Sequence, residues 1–287
     1  MGLRRDLLLF PGGKKKALTF SYDDAVTQDA QLVRLMNRYG MKGTFNINTG
    51  LLGTEKTYTR DGKTVSQNRL EREAIHAVYT GHELAVHGLT HLDLALAGNA
   101  AAAYEIMADR KNLEDLTHTP VRGMAYPFGT WNEALVNLLR SCGTAYSRTT
   151  KSTGAFTIPE EFLTWNPTCH HADEQLFVLA ERFFEPEQKY SGPRLFYVWG
   201  HSYEFDLRED WERMELFLAQ MSGREEIWYA SNIEICDYVK ASRHLQYSAD
   251  GRYIHNPTAL DIWLSVNQAP HICPSGQTTC LDRQETV

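Results

Sequence analysis

The sequence predicts an α/β fold whose core is a parallel sheet of about seven strands, curled toward a barrel rather than left open. Three observations predict it. Short apolar runs of strand length alternate with stretches of helical periodicity, the pattern of repeated strand–helix units. About seven such repeats are enough to curl a sheet into a barrel. The acidic and imidazole residues Asp23, Asp24, His87 and His201 each fall just after a predicted strand, at the carboxyl ends where parallel sheets gather reactive groups.

The elements follow in order. Residues 18–22 form the first strand, and residues 28–39 carry Leu32, Leu35 and Met36 at helical spacing before stopping at Gly40. A second strand covers 43–48. Residues 56–65 contain Arg60-Asp61-Gly62-Lys63, a hairpin-turn signal, and predict a lobe beside the pocket. Helical spacing returns at 68–79, a strand at 83–86, and a long Ala-rich helix at 99–116. Ala125-Tyr126 closes another strand, 131–140 is helical, and 145–147 is a short strand. A helix at 172–184, a buried strand at 195–199, a helix at 207–221 and a last core strand at 227–229 complete the pattern.

From His244 onward the character changes. Residues 247–254 read as a hairpin turning at Asp250-Gly251, and residues 260–266 alternate like a half-buried strand. The expected division is therefore a barrel over 1–243 and a small β appendage packed on it over 244–287. A segment this small is a structural cover rather than a glycan-binding module.

Composition narrows the function classes. At 287 residues, 43% hydrophobic and 23% charged, the chain can bury one large core. A net charge of −7, with Lys14-Lys15-Lys16 as the one basic run, argues against a nucleic-acid partner. No apolar run reaches the roughly 18 residues of a membrane span. Leu7-Leu8-Leu9-Phe10 follows Arg4-Arg5 as a signal peptide would, but Pro11-Gly12-Gly13 cuts it short. The expectation is a cytoplasmic protein, secretion being the alternative if an export signal has been removed. Five cysteines without paired short spacing read as buried thiols; Cys273 and Cys280 are the one pair placed to bridge.

Chemistry enters at Leu18-Thr19-Phe20-Ser21-Tyr22-Asp23-Asp24-Ala25, where an apolar run ends in two carboxylates. On an extended segment these point to opposite sides, so one could ligate a metal while the other handles protons. Alone, the octet reads as a solvated turn after a strand. The balance changes at Glu83-Leu84-Ala85-Val86-His87-Gly88-Leu89-Thr90-His91. An extended chain would hold the two histidines about 13 Å apart, too far to share a cation with bonds of about 2 Å. The chain must turn between them, and Asp24 from a neighbouring strand end would then complete a His-His-Asp set with open positions.

These residues resemble a known family. Thr19-Phe20-Ser21-Tyr22-Asp23-Asp24 resembles the first motif of the polysaccharide deacetylases, carbohydrate esterase family four or the NodB-homology domain. His87-Gly88-Leu89-Thr90-His91 resembles the second motif, Ala125-Tyr126-Pro127-Phe128-Gly129 the third and Val198-Trp199-Gly200-His201 the fifth. The four stand in register from about residue 15 to about residue 240. The resemblance implies a distorted, incomplete (β/α) barrel and one divalent metal ion, zinc first and cobalt or nickel as alternatives, held by Asp24, His87 and His91. It further implies Asp23 as the base, His201 as the acid and the Phe128 backbone N–H as an oxyanion donor. Tyr126, Trp165 and Trp199 become candidate substrate-binding residues.

Other histidines are read as structural. His76 and His82 lack the motif spacing, and His170-His171 are neighbours whose side chains should diverge. Three departures from the family pattern stand out. The arginine that opens the third motif is replaced by Ala125, its acidic partner in the fourth motif has no match beside Asn166-Pro167, and Trp199 occupies a position where a Leu is usual. Loss of both charges together would strand neither.

The implied function is removal of acetyl groups from N-acetylated amino sugars in a glycan or oligosaccharide. The alternatives are a hydrolase of another amide or ester, of the O-acetyl xylan or cyclic imide type, and a silent carbohydrate-binding domain. Retained Asp23 and His201 speak for catalysis, since binding alone needs neither a base nor an acid.

Overall fold

A computed structural model describes residues 6–186 and 191–281; the Arg4-Arg5 lead-in lies outside the described residues. The elements run β1 (Asp6–Leu9), β2 (Lys16–Asp23), α1 (Asp29–Arg38), β3 (Thr44–Ile47), β4 (Thr57–Arg60), β5 (Lys63–Ser66), α2 (Ile75–Val78), β6 (Glu83–Val86) and α3 (Asn99–Thr117). They continue with β7 (Gly123–Ala125), α4 (Glu133–Ser141), β8 (Tyr146–Arg148), β9 (Cys169–His170), α5 (Leu176–Phe184), β10 (Arg194–Gly200), α6 (Tyr203–Arg208), α7 (Trp211–Met221), β11 (Ile227–Tyr229) and α8 (Asn232–Ser242). Five short strands close the chain: β12 (Gln246–Tyr247), β13 (Tyr253–His255), β14 (Ile262–Val266), β15 (Ala269–Cys273) and β16 (Thr278–Cys280).

The main sheet is parallel throughout and has the order β8-β7-β6-β3-β2-β10-β9, with β11 on the first half of β2's β3-side edge. This is the expected curled, incomplete (β/α) barrel. All eight residues of β2 are buried, as a strand covered on both faces requires. Leu18, Phe20 and Tyr22 join the cluster under the helices. Burying such side chains contributes about 1.5–3 kcal/mol each, and Phe20 meets Phe217 of α7 edge-on at 6.3 Å. The alternate residues Ala17, Thr19, Ser21 and Asp23 take the other face. There Thr19 Oγ1 donates to Asn232 Oδ1, and Asn46 Nδ2 donates to Ser21 Oγ.

Three local expectations change. Helix 68–79 is shorter, because Arg69 and Leu70 spend their N–H groups on Thr54 O and Ala25 O, leaving a 3₁₀ turn at Arg72–Ala74 and then α2. Helix 207–221 breaks at Glu209, whose φ is +55°, into α6 and α7. Helix α8 was not expected at all. A capping box of Ser231 and Glu234 starts it, and its first residue, Asn232, donates to Tyr197 Oη inside the sheet.

The hairpin and strand expected after His244 are present as β12–β13 and β14. β1 pairs antiparallel with β14. The Tyr238 hydroxyl of α8 donates to Leu9 O and accepts from Trp263 N–H, joining both strands to the helix. Among the described residues no helix is long and apolar enough to cross a membrane.

Candidate active site

β2 ends in Asp23, and the backbone then leaves the extended region: Asp24 has φ +89°. That step costs a residue with a Cβ about 1–3 kcal/mol. It also overturns the expectation that the two acids face apart. His87 Nε2 lies 3.8 Å from Asp23 Oδ2 and 4.0 Å from Asp24 Oδ1, so both carboxylates reach one imidazole. Asp24 N–H donates to Asn46 O, and Arg69 binds the Asp24 carbonyl, which holds the turn.

The chain does turn between the histidines. Gly88 and His91 have φ +76° and +59°, the ring centres of His87 and His91 are 4.9 Å apart, and His91 Nε2 is 3.8 Å from Asp24 Oδ1. Two acids one turn apart on α3 hold the loop. Glu105 accepts from Thr90 N–H and its hydroxyl, and Asp109 accepts from His87 N–H. Asn48 Nδ2 donates to the carbonyls of His87 and Gly88. The carbonyl of Ala125, 2.9 Å from His87 Nδ1, can only accept. Nδ1 therefore carries the hydrogen and Nε2 offers its lone pair toward the acids.

Asp24, His87 and His91 fit a divalent cation. Asp24 Oδ1 is buried without a hydrogen-bond partner, although Arg69 Nη1 stands 3.2 Å away. Burial pushes the Asp24 carboxyl up, but Arg69 and three imidazoles override it and hold it well below the usual range. Burial lowers His87 to about 4 and also lowers His91. Two neutral imidazoles and an ionised carboxylate are a donor set that zinc-class cations take.

Asp23 is governed by an arginine that sequence reasoning missed. Arg148, fully buried at the end of β8, places Nη2 2.5 Å from Asp23 Oδ2, while Asn46 Nδ2 donates to Oδ1 at 2.8 Å. Burial raises the Asp23 carboxyl, and Arg148, then His87 and His201, more than reverse that. Arg148 is the register partner of Ala125 across β7 and β8. The charge expected to be lost is therefore supplied from one strand further along.

His201 Nε2 lies 3.8 Å from Asp23 Oδ2, and its Nδ1 lies 3.3 Å from Glu204 Oε1 at the start of α6. Burial lowers its proton affinity, but Glu204, Asp24 and Asp23 raise it to about 9. Glu204 itself is held far below the carboxylate range, since His170, His171 and His201 override its burial. The expectation that His170 and His171 diverge fails, because the chain leaves the strand after His170 and both Nε2 atoms approach Glu204 Oε2.

The remaining candidates divide. Phe128 sits at φ +60° in the turn after β7, its ring edge-on to His91 at 4.6 Å. Trp199 stacks under Arg148, whose guanidinium is 4.5 Å from the ring centre, and lies 5.8 Å from the His201 ring. Tyr126 and Trp165 are each 1% exposed. The Tyr126 hydroxyl donates to Leu163 O, and Trp165 packs among Tyr146, Phe162 and Tyr197. The core encloses both rings and leaves them no face for a substrate.

Residues 11–147 match the sequence profile described as polysaccharide deacetylase. A polysaccharide deacetylase homologue from Mycobacterium smegmatis superposes with a TM-score of 0.57 at 16% identity, covering 83% of this chain and 94% of that one. This likeness carries the fold. The Streptococcus pyogenes deacetylase PplD, solved with acetate, gives 0.43 at 20% identity over 51% of this chain; the match spans 61% of that protein's length. The Bacillus subtilis peptidoglycan deacetylase PdaC gives 0.46 at 13% identity over 80% and 93%. No curated protein matches the chain.

Proposed function

On the premise that residues 11–147 carry the polysaccharide deacetylase domain, we propose that this protein is a metal-dependent hydrolase that removes acetyl groups from N-acetylated amino sugars in a glycan or oligosaccharide. Asp24, His87 and His91 would hold the cation, zinc by ligand type. When bound, such a cation supplies Lewis-acid polarisation of a carbonyl and acidifies a water ligand. The chain's own residues do the rest. Asp23, ionised beside Arg148, takes the proton of the attacking water at Oδ2. His201, protonated through Glu204, delivers a proton from Nε2 to the departing amine. The Phe128 N–H is assigned to the oxyanion and Trp199 to the wall of the acyl pocket. Residues 1–243 are taken as the catalytic unit and 244–287 as its cover.

The observation that carries this reading is geometric: Asp23 Oδ2 lies 3.8 Å from His201 Nε2, the carboxylate beside the Arg148 guanidinium and the imidazole beside the Glu204 carboxylate. A base kept ionised and an acid kept protonated are what amide hydrolysis needs and what binding alone does not. The test is acetate release from chitooligosaccharides, acetylated xylan and peptidoglycan fragments, with metal stripped and restored. Release that stops on stripping, returns with zinc and is lost in Asp23→Asn supports the proposal. Binding of every glycan without acetate release from any would replace it with a silent binding domain.

A further inference from the structure

A second set of ligand-type side chains lies beside the first and shares no residue with it. His170 and His171 place Nε2 3.1 and 3.2 Å from Glu204 Oε2, and the three ligand atoms lie within 4.8 Å of one another. Bonds of about 2.0–2.1 Å around a tetrahedral ion give ligand–ligand edges of about 3.3 Å. Two edges of this triangle are already near that length.

The hydrogen bonding is incomplete in a way that a cation would mend. His171 is 1% exposed, its Nδ1 has no hydrogen-bond partner, and its Nε2 and Glu204 Oε2, although 3.2 Å apart, do not complete a hydrogen bond. Buried polar groups left unsatisfied destabilise the fold, and a cation would engage them. The His171 ring is fixed between Phe205, 4.3 Å away, and Tyr22, 5.6 Å away, both stacked on it. Its Nδ1 faces the space above Gly200, where a Cβ would lie only 1.9 Å away. Nε2 is thus the nitrogen aimed at Glu204. The His170 side chain, 22% exposed, opens the cluster to solvent.

One contact opposes a cation: the Ala172 N–H donates to His170 Nδ1, which leaves the hydrogen of a neutral ring on Nε2. Ligation through Nε2 moves that hydrogen to Nδ1 and forfeits the bond. One neutral hydrogen bond is a small loss beside three metal–ligand bonds gained.

We propose that His170, His171 and Glu204 form a second cation site, for a divalent transition metal of the zinc, cobalt or nickel class, independent of Asp24, His87 and His91. Glu204 uses Oε2 for this site and Oε1 for His201, so the site adjoins the acid without using the first set of ligands. The probe is cobalt(II), followed by metal analysis after equilibrium dialysis and by visible absorption. The unaltered protein is expected to hold two equivalents and Asp24→Asn/His91→Gln one, with tetrahedral cobalt bands. Adding His170→Gln should weaken that remaining equivalent more than about tenfold. His170 is chosen because it is part exposed, whereas replacing His171 would disturb the core. If the double variant holds no cobalt, or holds it equally well with His170→Gln, the proposal is overturned. The difference between the unaltered protein and the double variant reports on the first site separately.

Discussion

Arg148 and Asp23 stand 125 residues apart in the chain and 2.5 Å apart in space. The contact exists because β8 lies beside β7 in register, with Arg148 opposite Ala125. A guanidinium needed next to a buried acid can enter from either of two neighbouring strands, since its reach of several ångströms spans the roughly 4.8 Å between them.

Arg148→Met should therefore affect stability and activity together. It leaves Asp23 buried and uncompensated, at a cost of about 3–5 kcal/mol in unfolding free energy. Because Arg148 is the largest influence lowering the Asp23 proton affinity, its loss raises that affinity. The acid limb of kcat/KM against pH should move to higher pH. Arg148→Lys, keeping the charge without the fork, should recover part of both. Urea unfolding and pH–rate profiles measure the two effects, and an unmoved acid limb would remove Asp23 from the role of base.

Glu204→Gln acts on the other limb. With the carboxylate gone, His201 loses the main support for its proton affinity of about 9, and its charged form persists only at lower pH. The alkaline limb of kcat should shift downward, with a loss of about 10²-fold near pH 8. Unchanged alkaline behaviour would mean that His201 is not the acid.

Gly200→Ala tests the space beside His171. The new methyl would meet the His171 ring at 1.9 Å, and that ring cannot retreat between Tyr22 and Phe205. Overpacking of this kind costs about 1–3 kcal/mol, read as a lower melting temperature. A variant as stable as the unaltered protein would show that the His171 ring is free to move.

Asp29 sets a pH dependence of stability away from the reaction. It is fully buried, and Ser202 and Tyr79 hydroxyls donate to it. Burial outweighs those bonds and raises its carboxyl to about 7. The folded state therefore holds a proton that the unfolded chain releases near pH 4. This contribution to stability is complete below that pH and is lost as pH rises toward 7. Compared with Asp29→Asn, the unaltered protein should lose on the order of a few kcal/mol between pH 4 and 7 in urea unfolding; parallel curves for the two proteins would contradict it.

How far the sequence could be read depended on what each residue's role required. Strand–helix alternation and the two histidines four apart were legible, because periodicity and chain reach are local. Glu204, three residues after His201, and Glu105 and Asp109, four apart on α3, carry a helical-spacing signal in the sequence. Arg148 and Arg69 carried none: each acts through strand register or a loop crossing, which a single sequence does not display. Tyr126 is buried with its hydroxyl spent on Leu163 O, since an aromatic next to a motif is as readily core as wall. The two acids converge on one imidazole because the extended backbone ends at Asp24, a turn that strand periodicity does not display.

The clasp that Tyr238 makes on Leu9 O spans 229 residues, and β1 reaches further still to pair with β14. During synthesis β1 must therefore wait, unpaired, until β14 has left the ribosome, since its hydrogen-bonding partners are made long after it. Completion of the barrel and sealing of its rim are thus separate events in time. The interval between them is when this chain is most open to proteases and to pairing with a stranger's edge.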